Sequence, residues 1–340
     1  MSPSALESLV QGQAAGQAQV LGHDAVRHRF TDTLGRKRLH HAWLLHGPGG
    51  IGKRMMARAL AADYLCEVNQ GNPSSSREAC GACHACRMMA AGSHPDFMLL
   101  EREWNPKTKR INRDVNIEQV RRMLGFLSLS GQESARRVAL IGDAGRLNGQ
   151  AANAMLKGLE EPSQGSLLLL VCEDALALPA TVRSRCLLQA MSTLNADDVR
   201  DILQAMPIAD HSLDFAVQLA DGRPGKVAAL ADAAVADALL DWHTLLARPA
   251  SLDIGKAQQW ISRHVQQVPH ELIAAVALSA AEPLLCRAGD TQRMDAVFDA
   301  LRQLAAWPQD VIRRTLRPAP TLLAHMLALR IALRALAQAV

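Results

Sequence analysis

The first half of the chain alternates short apolar runs with longer amphipathic segments. Apolar runs at residues 42–46, 97–100, 138–142, 167–172 and 186–189 predict five β-strands. Between them, apolar side chains recur at helical spacing after Asn116, which can cap a helix, and over residues 150–160, where Pro162 would end the helix. Strands that alternate with helices indicate a parallel sheet covered by helices.

The pattern changes after Met191, where no further strand-like run is found and the periodicity is helical. Asn195 can cap the first of these helices. The best internal break lies at residues 221–226, which contain Gly222, Pro224 and Gly225. Residues 322–340 form an amphipathic pattern suited to packing on partner helices. We therefore expect a small helical module followed by a C-terminal helical bundle.

Composition excludes several classes of protein. With 49% apolar and 21% charged residues, the chain is not mainly disordered. A net charge of +4 spread over 340 residues is too weak to indicate nucleic-acid binding. The eleven aromatic residues argue against a dedicated single-strand binding module. Without a secretory signal or a run of about 20 apolar residues, the chain is expected in the cytoplasm, where thiols stay reduced.

A glycine-rich loop follows the first predicted strand and leads into a helix. Its sequence, GPGGIGKR at residues 47–54, fits seven of the eight positions of a phosphate-binding loop. The glycines allow backbone N–H groups to surround a phosphate, and the lysine can reach the outer phosphates. A second candidate ligand follows the third predicted strand. The expected nucleotide-binding residues are Gly47, Gly50, Gly52, Lys53 and Asp143.

Two residues needed for hydrolysis are missing. Arg54 stands where a Ser or Thr hydroxyl should hold Mg²⁺, and its positive charge repels a divalent cation. Ala144 follows Asp143 where a Glu usually orients the attacking water. Three interpretations stay open: a loop kept for its tight geometry over an empty or structurally occupied site, nucleotide binding without hydrolysis, and real turnover.

Four cysteines suggest a structural metal site. Cys80, Cys83 and Cys86 are three residues apart, and Cys66 stands at the end of the helix that follows the glycine-rich loop. Four thiolates around one tetrahedral Zn²⁺ would fix the polar segment of about 66–86 to that helix. A c-type haem attachment, an iron–sulfur cluster and disulfides are the alternatives.

These features together resemble the AAA+ clamp-loader family of bacterial DNA polymerase III. The resemblance rests on the glycine-rich loop, the four-cysteine insertion after its helix, the stretch NAMLKGLEEP at residues 153–162, and Ser184-Arg185-Cys186. It implies an AAA+ P-loop core with a parallel sheet over residues 1–191, a helical lid over 192–234, and an all-α C-terminal collar over 235–340.

The resemblance also implies a function. Such chains join gamma/tau ATPases and a delta subunit in a five-subunit ring that loads the sliding clamp onto primed DNA. The altered site, with Cys172 and Gly225 at the expected sensor positions, is closer to the non-hydrolysing type of subunit than to gamma/tau. Arg185 would then be an arginine finger for a neighbour's ATP site. The alternatives are an ATP-hydrolysing gamma/tau-type subunit and a zinc module that binds nucleic acid.

Overall fold

The computed structural model describes residues 20–71, 78–106, 109–129, 135–285 and 291–337. The chain divides into two compact units, Met1–Asp198 and Val199–Val340. The first unit contains the strands within the described residues, and the second is helical there. The predicted lid and collar both lie mainly in the second unit, and the boundary between them stays a prediction.

The first unit is built on a five-stranded parallel sheet with the order β2-β5-β6-β1-β7. Leu44 on the fourth of these strands lies opposite Leu170 on one side and Leu188 on the other. A separate two-stranded antiparallel hairpin follows β2. The strands are β1 Ala42–His46, β2 Phe97–Leu100, β3 Trp104–Asn105, β4 Arg110–Ile111, β5 Arg137–Ile141, β6 Ser166–Cys172 and β7 Leu187–Ala190.

All five predicted sheet strands are present, with small errors at their ends. Strand β5 begins at Arg137 because the buried guanidinium lies 3.5 Å from Asp96 and donates to the Phe126 carbonyl. Strand β7 begins one residue late because the Cys186 N–H donates to the Arg183 carbonyl in a turn. The hairpin strands β3 and β4 were missed, since two-residue strands carry no periodic signal.

Side chains of alternate strand residues point to opposite faces of the sheet and pack into two apolar cores, one on each face. Trp43 and Leu45 pack with the helices on one face, whereas Ala42 and Leu44 pack with those on the other. The first face is covered by α1 Asp24–Gly35 and α2 Lys53–Leu65, and the second by α5 Ile117–Ser128 and α6 Gly149–Glu160. The remaining helices of this unit are α3 Glu67–Gly71, α4 His84–Ala91, α7 Ala180–Arg183 and the start of α8 Ala196–Gln204.

The helix caps predicted for this unit are confirmed. Asn116 accepts the Gln119 N–H at 3.0 Å and forms a capping box with that residue. Asn195 accepts the Asp198 N–H at 2.8 Å at the start of α8. Helix α6 ends at Glu160, before Pro162 as predicted.

The second unit packs helices around buried tryptophans. Trp242 stacks on Trp260 with ring centroids 4.5 Å apart, and both donate their indole N–H to buried backbone carbonyls. The predicted break lies between the helices Asp210–Ala220 and Ala233–Leu245, where Asp221 and Gly222 have positive φ. Among the described helices, none has both the length and the apolar content to cross a bilayer. The helices are α9 Asp210–Ala220, α10 Ala233–Leu245, α11 Ile254–His264, α12 His270–Leu285, α13 Thr291–Arg313 and α14 Pro318–Ala337.

Candidate nucleotide site, metal site and exposed arginine

The glycine-rich loop connects β1 to α2, as predicted. Gly47, Gly50 and Gly52 all have positive φ, a conformation that other residues rarely adopt. A Cβ on Gly47 would lie 2.1 Å from the Met191 carbonyl oxygen, so this position also requires glycine for close packing. The loop therefore keeps the backbone geometry of a phosphate-binding loop.

Lys53 turns back onto this loop. Its Nζ donates to the carbonyl oxygens of Gly47 at 2.7 Å and Pro48 at 2.5 Å, and the residue is buried. Burial lowers the pKa of the amine, although the nearby Glu173, Cys172 and Asp143 oppose that shift. The cation that should meet the outer phosphates is thus bound by the loop's own backbone.

Arg54 is held at the carboxyl ends of two neighbouring strands. Its Nη1 forms an ion pair with Glu101 Oε1 at 2.8 Å, just after β2. Its Nη2 lies 3.4 Å from the Gly142 carbonyl oxygen, directly after β5. A guanidinium therefore lies next to Asp143, the expected metal ligand, and repels a divalent cation there.

The remaining nucleotide-site residues gather at the same edge of the sheet. The Asp143 carboxylate lies 3.8 Å from Arg146 Nε. Ala144 is fully buried in a short 3₁₀ turn, which leaves no room there for a catalytic Glu without rearrangement. Cys172 ends β6 beside this edge, and burial raises the pKa of its thiol to about 11.

The four predicted metal ligands come together. The Sγ atoms of Cys66, Cys80, Cys83 and Cys86 all lie within 4.8 Å of one another. Cys66 follows the last residue of α2, and Cys83 is the N-cap of α4. Zn–S bonds of about 2.3 Å in a tetrahedron require sulfur atoms about 3.8 Å apart, close to the 4.0 Å between the Sγ atoms of Cys80 and Cys86.

Backbone N–H groups point at these sulfur atoms. The Cys83 N–H donates to Cys80 Sγ at 3.3 Å, and the Cys86 N–H donates to Cys83 Sγ at 3.4 Å. Bonds from the Ala82 and Cys83 N–H groups lower the pKa of the Cys80 thiol to about 7, whereas burial raises the pKa of Cys66 and Cys86. Such donors stabilise thiolates, so the donor set fits a zinc ion, which would tie the segment after α2 to the core.

The six described cysteines form no disulfide, and Cys286 lies outside the described residues.

A buried ion pair that was not predicted from the sequence connects this cluster to α1. Arg27 on α1 binds both carboxylate oxygens of Asp63 on α2, at 2.8 and 2.9 Å. Asp63 is fully buried and also accepts the Ala79 N–H at 2.6 Å. Arg27 reaches Glu78 at 2.6 Å as well. The pair thus fixes the backbone directly before Cys80.

We expect Arg27→Ala to lower the free energy of unfolding by about 3 kcal/mol, because it leaves the Asp63 carboxylate buried without its cation. Urea denaturation at pH 7, with zinc held constant, measures the loss. Arg36→Ala is the matched control, since Arg36 pairs with Asp32 at the exposed C-terminal end of the same helix, and we expect about 0.5 kcal/mol or less. Equal losses in the two variants would contradict the importance of the buried pair.

Arg185 lies between α7 and β7 and is partly exposed. Its Nη2 forms an ion pair with Glu160 Oε1 at 2.7 Å, and its Nη1 donates to the Thr181 carbonyl at 2.9 Å. The two motifs that carried the resemblance, at residues 153–162 and 184–186, therefore meet in space. The role of this guanidinium towards a neighbouring subunit stays a prediction.

A parallel sheet with a glycine-rich P-loop after β1 and an altered nucleotide site at its carboxyl edge defines a P-loop α/β protein. The chain belongs to the family described as DNA polymerase III, delta subunit, whose family model matches residues 22–195. The expected family is thereby confirmed.

Curated relatives agree with this assignment. The DNA polymerase III subunit delta' of Pseudomonas aeruginosa is 42% identical over 156 residues, 46% of this chain and 44% of that protein. The delta' subunit of Haemophilus influenzae is 32% identical over 58% of this chain and 57% of its own length. Subunit tau of Escherichia coli is 28% identical over 78% of this chain and 40% of tau. The chain thus spans about half the length of the curated relatives it matches.

Two solved structures are similar to this chain at low sequence identity. A gamma-subunit-related protein of DNA polymerase III from Thermotoga maritima is 17% identical and gives a TM-score of 0.45, covering 89% of this chain and 99% of that one. A RuvB protein from Thermotoga maritima is 13% identical, with a TM-score of 0.42 over 90% of this chain and 80% of its own.

Proposed function

We propose that the chain acts as a delta'-type subunit of a DNA polymerase III clamp loader. In this proposal it joins gamma/tau ATPases and a delta subunit in a five-membered ring, which uses ATP to load the sliding clamp onto primed DNA. Residues 1–191 serve as the core, residues 192–234 as a lid and residues 235–340 as the collar that assembles the ring. Family membership and the delta' relatives support this proposal.

Within the ring, the chain hydrolyses no ATP itself. The observation that carries this statement is that Lys53 and Arg54 are both bound by the chain's own groups, the lysine by loop carbonyls and the arginine by Glu101. A nucleotide would have to displace both contacts, and Mg²⁺ would meet a guanidinium instead of a hydroxyl. The catalytic residue that the chain retains in this proposal is Arg185, which is partly exposed and would exchange its ion pair with Glu160 for a neighbouring subunit's phosphate.

We expect the isolated chain to show no ATP hydrolysis above background, with or without primed DNA. A phosphate-release assay measures this, and Lys53→Ala provides the control, because any rate that survives loss of the P-loop lysine comes from a contaminant. A rate near 1 s⁻¹, at the low end of ordinary enzymes, that disappears in Lys53→Ala would instead support a gamma/tau-type ATPase.

Reconstitution tests the subunit role directly. The chain is mixed with a gamma-type ATPase and a delta subunit, and clamp loading onto primed DNA is measured with and without it. We expect loading to require the chain. Loading at the full rate in its absence would contradict the proposal.

A further inference from the structure

One tryptophan differs from the others in its surroundings. The chain has five tryptophans, all within the described residues. Four of them are buried with at most 5% of their surface exposed, whereas Trp104 is 60% exposed. Trp104 is thus the one tryptophan of the chain that presents most of its indole to solvent.

Trp104 lies on the hairpin of β3 and β4, directly opposite Ile111, which is 47% exposed. Opposite residues of a two-stranded ribbon share a face, so the two apolar side chains stand side by side. Beyond the strands, the Asn112 N–H donates to the Glu103 carbonyl at 2.8 Å, and Asn105 Nδ2 donates to Asn112 Oδ1 at 3.2 Å. These bonds hold the apolar pair on a defined ribbon.

Four cations lie close to this pair in the sequence, at both ends of the ribbon. Arg102 and Arg113 lie two positions from Trp104 and Ile111 in the sequence, Arg102 before β3 and Arg113 in a bend after β4. Lys109 and Arg110 are exposed at the other end of the ribbon. The one described carboxylate within the hairpin, Glu103, is already paired with Arg122 on α5. Residues 102–106 and 109–113 carry four cations and one carboxylate, a net charge of +3, and they are flanked by Glu101, which is paired with Arg54, and by Asp114.

We propose that this hairpin, the Trp104 hairpin, binds single-stranded nucleic acid. A base stacks on the indole of Trp104 while Arg102, Arg113 and the cations near the turn contact the phosphates. An apolar patch of two side chains is far smaller than the roughly 800 Å² that each partner buries in a stable protein interface, whereas the four cations of the ribbon and its flanks complement a polyanion. The scarcity of aromatic residues excludes a multi-base module, but one stacking platform needs only one tryptophan. The inference goes beyond the proposed function, since it uses neither Arg185 nor the ring.

The test mixes the full chain alone with a fluorescently labelled oligodeoxythymidine of about 12 nucleotides at about 50 mM salt. Binding is measured by the fluorescence anisotropy of the oligonucleotide. We expect saturable binding that weakens as salt rises. Trp104→Leu keeps the apolar bulk but removes the aromatic face, so affinity should fall about fivefold or more, whereas Trp104→Phe should retain most of it. Arg102→Gln with Arg113→Gln should weaken binding and reduce the slope of log affinity against log salt by about 1.4.

Tryptophan fluorescence separates stacking from charge. The oligonucleotide should quench the exposed indole, and the quenching should be absent in Trp104→Phe. Heparin, a polyanion without bases, should compete for binding without that quenching. The proposal is overturned if the chain does not bind at low salt, if Trp104→Leu binds as tightly as wild type, or if heparin quenches equally. Quenching by another loader subunit but not by DNA would show that the hairpin docks a protein instead.

Discussion

Arg185→Ala should lower the ATPase rate of a reconstituted clamp loader without preventing its assembly. If Arg185 acts as an arginine finger, its loss slows phosphoryl transfer at the ATP site it serves by about 10³-fold or more. The guanidinium neutralises charge that develops on the transferred phosphoryl group, and the neighbouring subunit lacks this cation at that site. Steady-state ATPase and clamp loading measure the effect on the whole complex, and single-turnover hydrolysis resolves the affected site.

The arginine's geometry suggests further variants. Arg185→Lys keeps the charge but loses the planar fork, so we expect a rate between those of wild type and Arg185→Ala. Arg36→Ala removes one exposed positive charge elsewhere and should leave the rate unchanged. Size-exclusion chromatography should give the same complex for all variants. Hydrolysis at wild-type rates at every site of the Arg185→Ala complex would show that the arginine does not act in trans.

The sequence alone predicted the parts of the fold that depend on local patterns. Strands β1 and β6 are runs of apolar residues between turn signals, and Asn116 and Asn195 are ordinary helix caps. The four cysteines were recognisable because three of them are three residues apart and the fourth ends a helix. These signals lie within a few residues of one another, so no tertiary information was needed.

Contacts between distant segments could not be predicted in this way. Nothing in the sequence indicates the three ion pairs that shape these sites. They are Arg54 with Glu101, Arg185 with Glu160, and Arg27 with Asp63. Each pair joins residues 25 or more positions apart, and a charged residue in an amphipathic helix is usually solvated. The exposure of Trp104 was equally unpredictable, because the same residue type is buried at the other four positions.

We expect the cysteine cluster to hold about one zinc ion per chain. Removal of this ion should destabilise the first unit. A metal that binds the folded state alone, at a thousandfold excess over its Kd, contributes about 4 kcal/mol. The segment around Cys80, Cys83 and Cys86 has little apolar core of its own, since its buried cluster consists of Cys66, Ala79 and Cys86. We therefore expect this segment to open first, while the sheet core stays folded to a higher temperature.

Metal analysis, thermal unfolding with and without chelator, and hydrogen exchange of the segment test this expectation. Cys83→Ser should lose the metal and the chelator effect together. Cys186→Ala is the matched control, because Cys186 is a buried thiol outside the cluster whose pKa is raised to about 12 by burial, so its loss should leave zinc content unchanged. A coloured protein would indicate iron or haem. A chain that contains no metal and unfolds identically with and without chelator would show that the four thiols pack without an ion.

DNA affinity lost in Cys83→Ser but retained in Trp104→Leu would assign nucleic-acid binding to the cysteine segment and not to the hairpin.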